Sequence, residues 1–422
     1  GIVGPHHEKE GSYYTIKQLW SPVQVTNTAI DRNFNGRFSV ENRYDYLNLN
    51  TCRFIWQQVK FPSVTDASNT TTRILKQGEV QGNDVAAHGV GVVDIKTSIL
   101  PEADALFLTA IDKYGHELWR WTFPVDKLNL ETEQLSALSG RASYTETEND
   151  ITAKANGRTF VFSKKDGQLK DVSVNNRKIS FANGPRFIGA RRADRSLDQF
   201  YNHDDGKAKA KDRTYTEFPD AAVFTKLDVK EEGGNLIITA NYKLGNLDKA
   251  RWTIHPDGVA TLDYTYNFSG VVDLMGICFD YPEEQVVSKR WLGAGPYRVW
   301  QNRIHGTQYD IWENDYNDPI PGETFTYPEF KGYFGSVSWM NIRTKEGTIS
   351  LTNETPDSYI GVYQPRDGRD RLLYTLPESG ISVLNVIPPV RNKVNSTDLC
   401  GPSSQPKWVD GPQTGRIVFR FE

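Results

Sequence analysis

The chain has 422 residues, 38% of them hydrophobic, and a formal net charge of −4. That length can bury one very large core or two to three ordinary domains. The small net charge and the lack of a long basic run exclude the electrostatic footprint of a nucleic-acid binder, because phosphates need clustered Lys and Arg. The densest basic run, KAKAKDR at 207–213, reads as a solvated loop.

Taken in chain order, residues 1–15 (GIVGPHHEKEGSYYT) show no signal-peptide pattern and read as an N-terminal extended arm, a remnant left by a cut inside a longer protein. From 16 to 126, short runs rich in Val, Ile, Phe, Tyr, Trp and Thr (FSVENRY, RFIWQQVK, LFLTAID, LWRWTF) alternate with turn residues. They suffice for one immunoglobulin-like β-sandwich of about 100 residues. Residues 127–150 are polar and poor in aromatics, and are expected to form a linker. From 151 to 422 the strand-like runs continue without a second linker: TFVFSKKDG, LIITANYKL, RWTIHPDGVATLDYTYNF, GTISLTNE and GRIVFRFE. The Asp-Gly pairs at 166–167 and 257–258 predict hairpin turns. Twenty Tyr, twenty Phe and ten Trp strengthen the strand bias, so the fold class is all-β, with several sheets packed face to face in the larger part. No apolar stretch reaches the roughly 18 residues of a membrane-spanning helix, and no membrane partner is expected.

Cys52, Cys278 and Cys400 have neither metal-ligand nor redox spacing, and an odd count gives no disulfide framework. They read as buried free thiols, and no metal or other cofactor is expected. Among the histidines of the larger part, His255 lies in the strand-turn TIHPDG, His203 in the polar loop YNHDDG, and His305 just beyond an aromatic loop. A histidine acting as general base must reach its substrate proton within hydrogen-bond distance, and His305 is the best placed in sequence.

The densest stretch is 290–318, RWLGAGPYRVWQNRIHGTQYDIWENDYND. Gly293, Gly295 and Pro296 predict a sharply turned loop rather than a strand. Aromatic faces beside planar hydrogen-bonding groups suit a sugar ring, which makes Arg298, Trp300, Asn302, Arg303, His305 and Trp312 candidate substrate contacts. Asp310, Glu313, Asp315 and Asp318 read as an Asn/Asp-rich loop that caps its own turns. Arg192 and Asp194, after the apolar run FIGA, offer either an Arg–Asp brace or a carboxylate-binding guanidinium. Trp408 lies in a late loop rich in Pro, Ser and Gly, CGPSSQPKWVDGP, where an exposed indole calls for a partner.

These segments, in this order, resemble the C-terminal region of glycoside hydrolase family 2 enzymes, the β-galactosidases above all. Residues 16–126 resemble the immunoglobulin-like sandwich that follows the catalytic barrel, through IKQLWSPVQV, GRFSVENRYDYLNLN and DKYGHELWRWTF. Residues 151–422 resemble the terminal galactose-mutarotase-like β-supersandwich, through FVFSKKDGQL, GPRFIGARRADRS, WLGAGP with Asn302-Arg303, and GISVLNVIPP. Two departures stand out: Arg298 lies near the family's usual acidic residue, and Asn302 replaces its Asp. The resemblance implies a parent that hydrolyses terminal β-glycosides by the retaining route, with a periplasmic or secreted location expected. It also implies that the two catalytic glutamates lie on a barrel that nothing in this chain matches, so no catalytic residue is expected here. The implied partners are that barrel and a carbohydrate substrate, with Trp408 reaching towards the cleft; a homo-oligomer stays open. Two other readings remain beside it: a stand-alone carbohydrate-binding module, and a sugar epimerase or lyase on the supersandwich.

Overall fold

In the computed structural model of the chain we describe residues 2, 3, 7, 9, 11–66, 70–125, 140–192, 215–315, 332–362, 377, 379–389 and 401–422. The alternation in RFIWQQVK becomes a strand, Arg53–Lys60, with Phe54, Trp56 and Gln58 buried and the residues between them less so. It belongs to a four-stranded sheet in the order Arg73–Gln81, Arg53–Lys60, Ala105–Ile111, Glu117–Pro124. A three-stranded sheet of Val23–Val25, Arg37–Asn42 and Val90–Asp94 belongs to the same part of the chain. Phe38, Phe54, Trp56, Leu108 and Phe123 share one core there.

From Ser143 onward the strands form two large sheets, and every named strand pair among the described residues is antiparallel. The eleven-stranded sheet runs from Phe334–Gly335 through Tyr359–Val362, Ile381–Val386, Leu274–Asp280 and Ala182–Arg192 to Ser143–Glu146. The nine-stranded sheet runs from Val223–Glu232 to an outer hairpin of Val286–Gly295 and Gln308–Asp315. Phe160, Phe162, Trp252, Phe279, Phe419 and Phe421 belong to a single core that draws on both sheets. The last strand, Lys407–Phe421, lies in the middle of the nine-stranded sheet, between Ala260–Val272 and Thr348–Asn353. Both Asp-Gly turns form as expected, with Gly167 and Gly258 at positive φ. The architecture is thus all-β: a smaller part built of a three-stranded and a four-stranded sheet, followed by a larger part built of two large sheets around one core. Cys52 and Cys278 are buried free thiols, and Cys400 lies outside the described residues.

Two expectations change. The arm expected to be extended contains a helix, Gly11–Leu19. Thr15 Oγ1 donates to Gly11 O within it, Tyr14 packs on the Tyr297 ring at 5.9 Å, and Lys17 pairs with Glu117 at 2.6 Å. The run at 290–318 opens as a strand and returns as one: Leu292 pairs with Ile311 and Gly295 with Gln308, leaving only 296–307 as the loop. Its glycines serve packing. A Cβ on Gly295 would stand 2.3 Å from the Trp312 ring, and one on Gly293 3.0 Å from Gly335 O. Asp310, Glu313 and Asp315 are therefore strand residues, and Asp318 lies outside the described residues.

This outer hairpin is also where the two parts meet. Val59, Phe61, Val64, Ala105 and Phe107 of the smaller part bury themselves with Leu292 and Trp339, and Tyr309 meets Phe61 edge-on at 5.6 Å. Trp339 Nε1 donates to Pro62 O at 3.1 Å, and Asn341 Nδ2 to Val64 O at 3.1 Å. Arg290 donates to Thr70 O. Asp310 accepts from Thr72 Oγ1 at 2.7 Å and from Arg120 at 2.8 Å. Removing Arg120 leaves the largely buried Asp310 charge with only neutral donors, and removing Asp310 leaves Arg120 without its counter-charge, each costing about 1–3 kcal/mol. Arg120→Ala and Asp310→Ala, measured by urea unfolding, are each expected to lose that much, and the double variant less than the sum. Additive losses would show that the two groups do not act as a pair.

Candidate functional site

The loop 296–307 begins at the Gly295–Pro296 peptide, which is cis. It is fixed on three sides. On the first, the helix Gly11–Leu19 lies against it: Thr15 Oγ1 and Tyr297 Oη both donate to His305 O, at 2.8 and 2.7 Å, and the Gly306 amide donates to Gln18 Oε1. Gly306 has φ +88, and a Cβ there would stand 2.4 Å from the Thr15 amide, so the helix can come this close only over glycine. On the second, Trp300 pairs with Arg303 and Val299 with Tyr333, while the Gln301 amide donates to Pro388 O. On the third, Gln301 Nε2 donates to Ser403 O at 3.0 Å and Gln405 O at 2.7 Å, and Asn302 Nδ2 to Ser404 Oγ at 3.0 Å. Those acceptors belong to the turn just before Trp408.

The expected contacts therefore separate. Trp300 is 2% exposed and meets Tyr333 edge-on at 5.6 Å within a buried cluster, so neither face of its indole is open to a sugar. Arg298 is 3% exposed and its guanidinium lies 5.9 Å over the Phe334 ring, pointing into the protein. Trp312 is half-buried, with its Nε1 donating to Gly293 O and Gln308 O. Asn302 and Arg303 are half-buried, and Asn302 holds the Ser404 turn. His305 is exposed, and its carbonyl anchors the helix. Trp408 is 69% exposed and stands on the strand Lys407–Phe421 opposite Val271, where a flexible loop was expected. Arg192 ends the strand Ala182–Arg192, with its side chain outside the described residues, as Asp194 and His203 are entirely.

Beside this loop a cavity of about 420 Å³ opens between the large sheets. Ala294, Asn353 and Lys407 reach it from the nine-stranded sheet, and Gly335, Tyr359 and Asn385 from the eleven-stranded one. Val299, Val337 and Thr355 are its buried wall, and Ile304, Ser336, Asp357 and Lys407 its exposed rim. Asn385 Oδ1 accepts from the buried Tyr266 hydroxyl at 2.7 Å, which fixes the direction of the amide. Burial, helped by the Asp357 carboxylate, pushes the Tyr359 phenol up, so it keeps its proton and can donate. Ser336 and Asp357 hold φ of +49 and +47, conformations that side-chain-bearing residues adopt at a cost. Sequence reasoning missed Tyr359, Asn385, Ser336 and Asp357. Only Asn385 sat in a segment noted for its family pattern, GISVLNVIPP. Among the described residues no group of three or more His, Cys, Asp or Glu is placed to hold a metal ion.

A profile for the β-galactosidase small chain matches residues 154–385. The chain belongs to the β-galactosidase small-chain family. Among solved structures, this small-chain family member is similar to galactose 1-epimerase from Lactobacillus acidophilus, at 10% identity over 67% of this chain and 99% of that one, TM-score 0.37. It is also similar to a copper-containing benzylamine oxidase from Hansenula polymorpha, at 7% identity over 97% and 79%, TM-score 0.27. No curated protein sequence matches the chain.

His255 is a structural histidine. It is buried, with Nε2 2.9 Å from Thr261 Oγ1 and Nδ1 3.2 Å from Asn235 Oδ1, and burial holds its imidazole below the ordinary value of 6.5. As pH falls below 6.5 the unfolded chain takes up the proton first, so stability is lost from there downward until the folded form protonates too. His255→Gln is expected to flatten this part of the pH–stability curve between about pH 6.5 and 5. An unchanged slope in urea midpoints across that range would assign it to other groups.

Proposed function

We propose that this small-chain region is the non-catalytic C-terminal part of a glycoside hydrolase family 2, β-galactosidase-like enzyme, with residues 16–126 and 151–422 as two domains following a catalytic barrel. The region braces that barrel and presents Trp408 to the cleft in which terminal β-glycosides are hydrolysed. The observation that carries the proposal is the loop 296–307: it grips the helix Gly11–Leu19 on one side and the turn before the exposed Trp408 on the other. A catalytic domain joined ahead of that helix is thereby coupled to the indole through one short loop. The fixed Asp310, committed to Arg120 and Thr72, is not free to act as the nucleophile or acid of a retaining pair.

Under this reading the purified chain hydrolyses neither nitrophenyl β-galactoside, β-glucuronide nor β-mannoside. Turnover rising in proportion to pure chain would contradict the non-catalytic assignment. In the assembled enzyme, Trp408→Ala should lower kcat/KM about tenfold, the loss of roughly 1.4 kcal/mol from stacking on sugar or aglycone. An unchanged kcat/KM would remove Trp408 from the cleft.

A further inference from the structure

The cavity between the sheets has no part in the proposal above, and its chemistry is specific enough to name a ligand. About 420 Å³ falls within the range of small-molecule sites. Its wall pairs apolar surface from Val299, Val337 and Ala294 with hydroxyl and amide groups rather than with a continuous greasy lining. Two donors among these have no protein acceptor among the described residues. Asn385 gives its Oδ1 to Tyr266, which leaves Nδ2 as the free end of an amide whose direction is already fixed. Tyr359 keeps a protonated hydroxyl, with no hydrogen-bond partner among the described residues. Asn353 is different: Nδ2 donates to Val337 O and Ser358 Oγ, and Oδ1 accepts from Thr355, so it is structural wall.

Charge narrows the class. Among the described residues the rim carries one cation, Lys407, and one anion, Asp357, so these two groups favour no net charge on the ligand. A ligand suited to this site offers alternating hydroxyls to fixed donors and to the Asp357 carboxylate, and a C–H surface to the valines. The two left-handed residues of the rim, Ser336 and Asp357, hold a costly backbone shape at this same opening. We propose that this cavity is a ligand site of its own for a neutral sugar of one or two rings, held by Asn385 Nδ2 and the Tyr359 hydroxyl and independent of any catalytic domain.

The proposal stands apart from the cleft reading, because it requires binding by this chain alone. Titration calorimetry of the purified chain with galactose and lactose should give saturable binding in the millimolar range. Tyr359→Phe deletes one hydroxyl and should weaken it about fivefold, the loss of one hydrogen bond. Thr307→Met places a longer side chain at the lining and should weaken it at least about tenfold by occupying the space. If Thr307→Met lowers the thermal midpoint, Tyr359→Phe alone decides. Absence of binding to the unmodified chain overturns the proposal. Binding that Tyr359→Phe and a folded Thr307→Met leave within twofold also overturns it, and would shift attention to the separate recess of about 630 Å³ lined by Lys165, Glu217 and Asp220.

Discussion

The outer hairpin of the nine-stranded sheet, Val286–Gly295 with Gln308–Asp315, is the constraint on which the rest of the molecule turns. An edge strand exposes unpaired backbone groups and invites another chain to pair with it. Here the smaller sandwich is packed against that edge. Its apolar contact, with Trp339 and Leu292 fully buried beside Phe61 and Phe107, outweighs the polar contacts around it. Burying a Trp or Phe is worth about 3–5 kcal/mol by the cost of truncation, whereas a partly exposed ion pair such as Arg120–Asp310 contributes about 1 kcal/mol. The aromatics supply most of the hold.

Because both strands of the hairpin are pinned, the loop between them is held at both ends. That gives 296–307 its reach. It carries a backbone carbonyl, His305 O, that two hydroxyls share, and two amide side chains, Gln301 and Asn302, that hold the 403–405 turn. Position passes from helix to loop to turn to Trp408 through a chain of hydrogen bonds. At the Ser404 contact the Asn302 amide is the donor and the hydroxyl oxygen the acceptor.

Much of this was legible in the sequence, and what was not has a physical reason. Local signals carried: the Asp-Gly turns, the alternation in RFIWQQVK, and the strand tryptophans Trp119 and Trp252, both buried. The stretch at 290–318 misled because Gly293 and Gly295 look like turn glycines. Their cause is long-range, the Trp312 ring across the strand pair and the Gly335 backbone from the other sheet, which no local pattern shows. Trp300 and Arg298 misled for a related reason, since a polar and aromatic cluster reads the same whether it faces solvent or a core. The helix Gly11–Leu19 escaped notice because it buries no residue of its own, and it holds its place through Tyr14, Lys17 and Gln18. Tyr359 and Asn385 came from runs that look uniformly buried, IGV and ISVLNV, so nothing marked the two positions that face a cavity.

The account rests on the claim that the loop positions the segment leading to Trp408, and Gln301 tests it most directly. Amide hydrogen exchange in Gln301→Ala should show Ser404 and Gln405, each hydrogen-bonded within the turn, exchanging at least about tenfold faster, while 260–272 in the neighbouring strand stays unchanged. Exchange at Ser404 and Gln405 that matches the unmodified chain would show that the turn holds itself, and that the loop does not place Trp408.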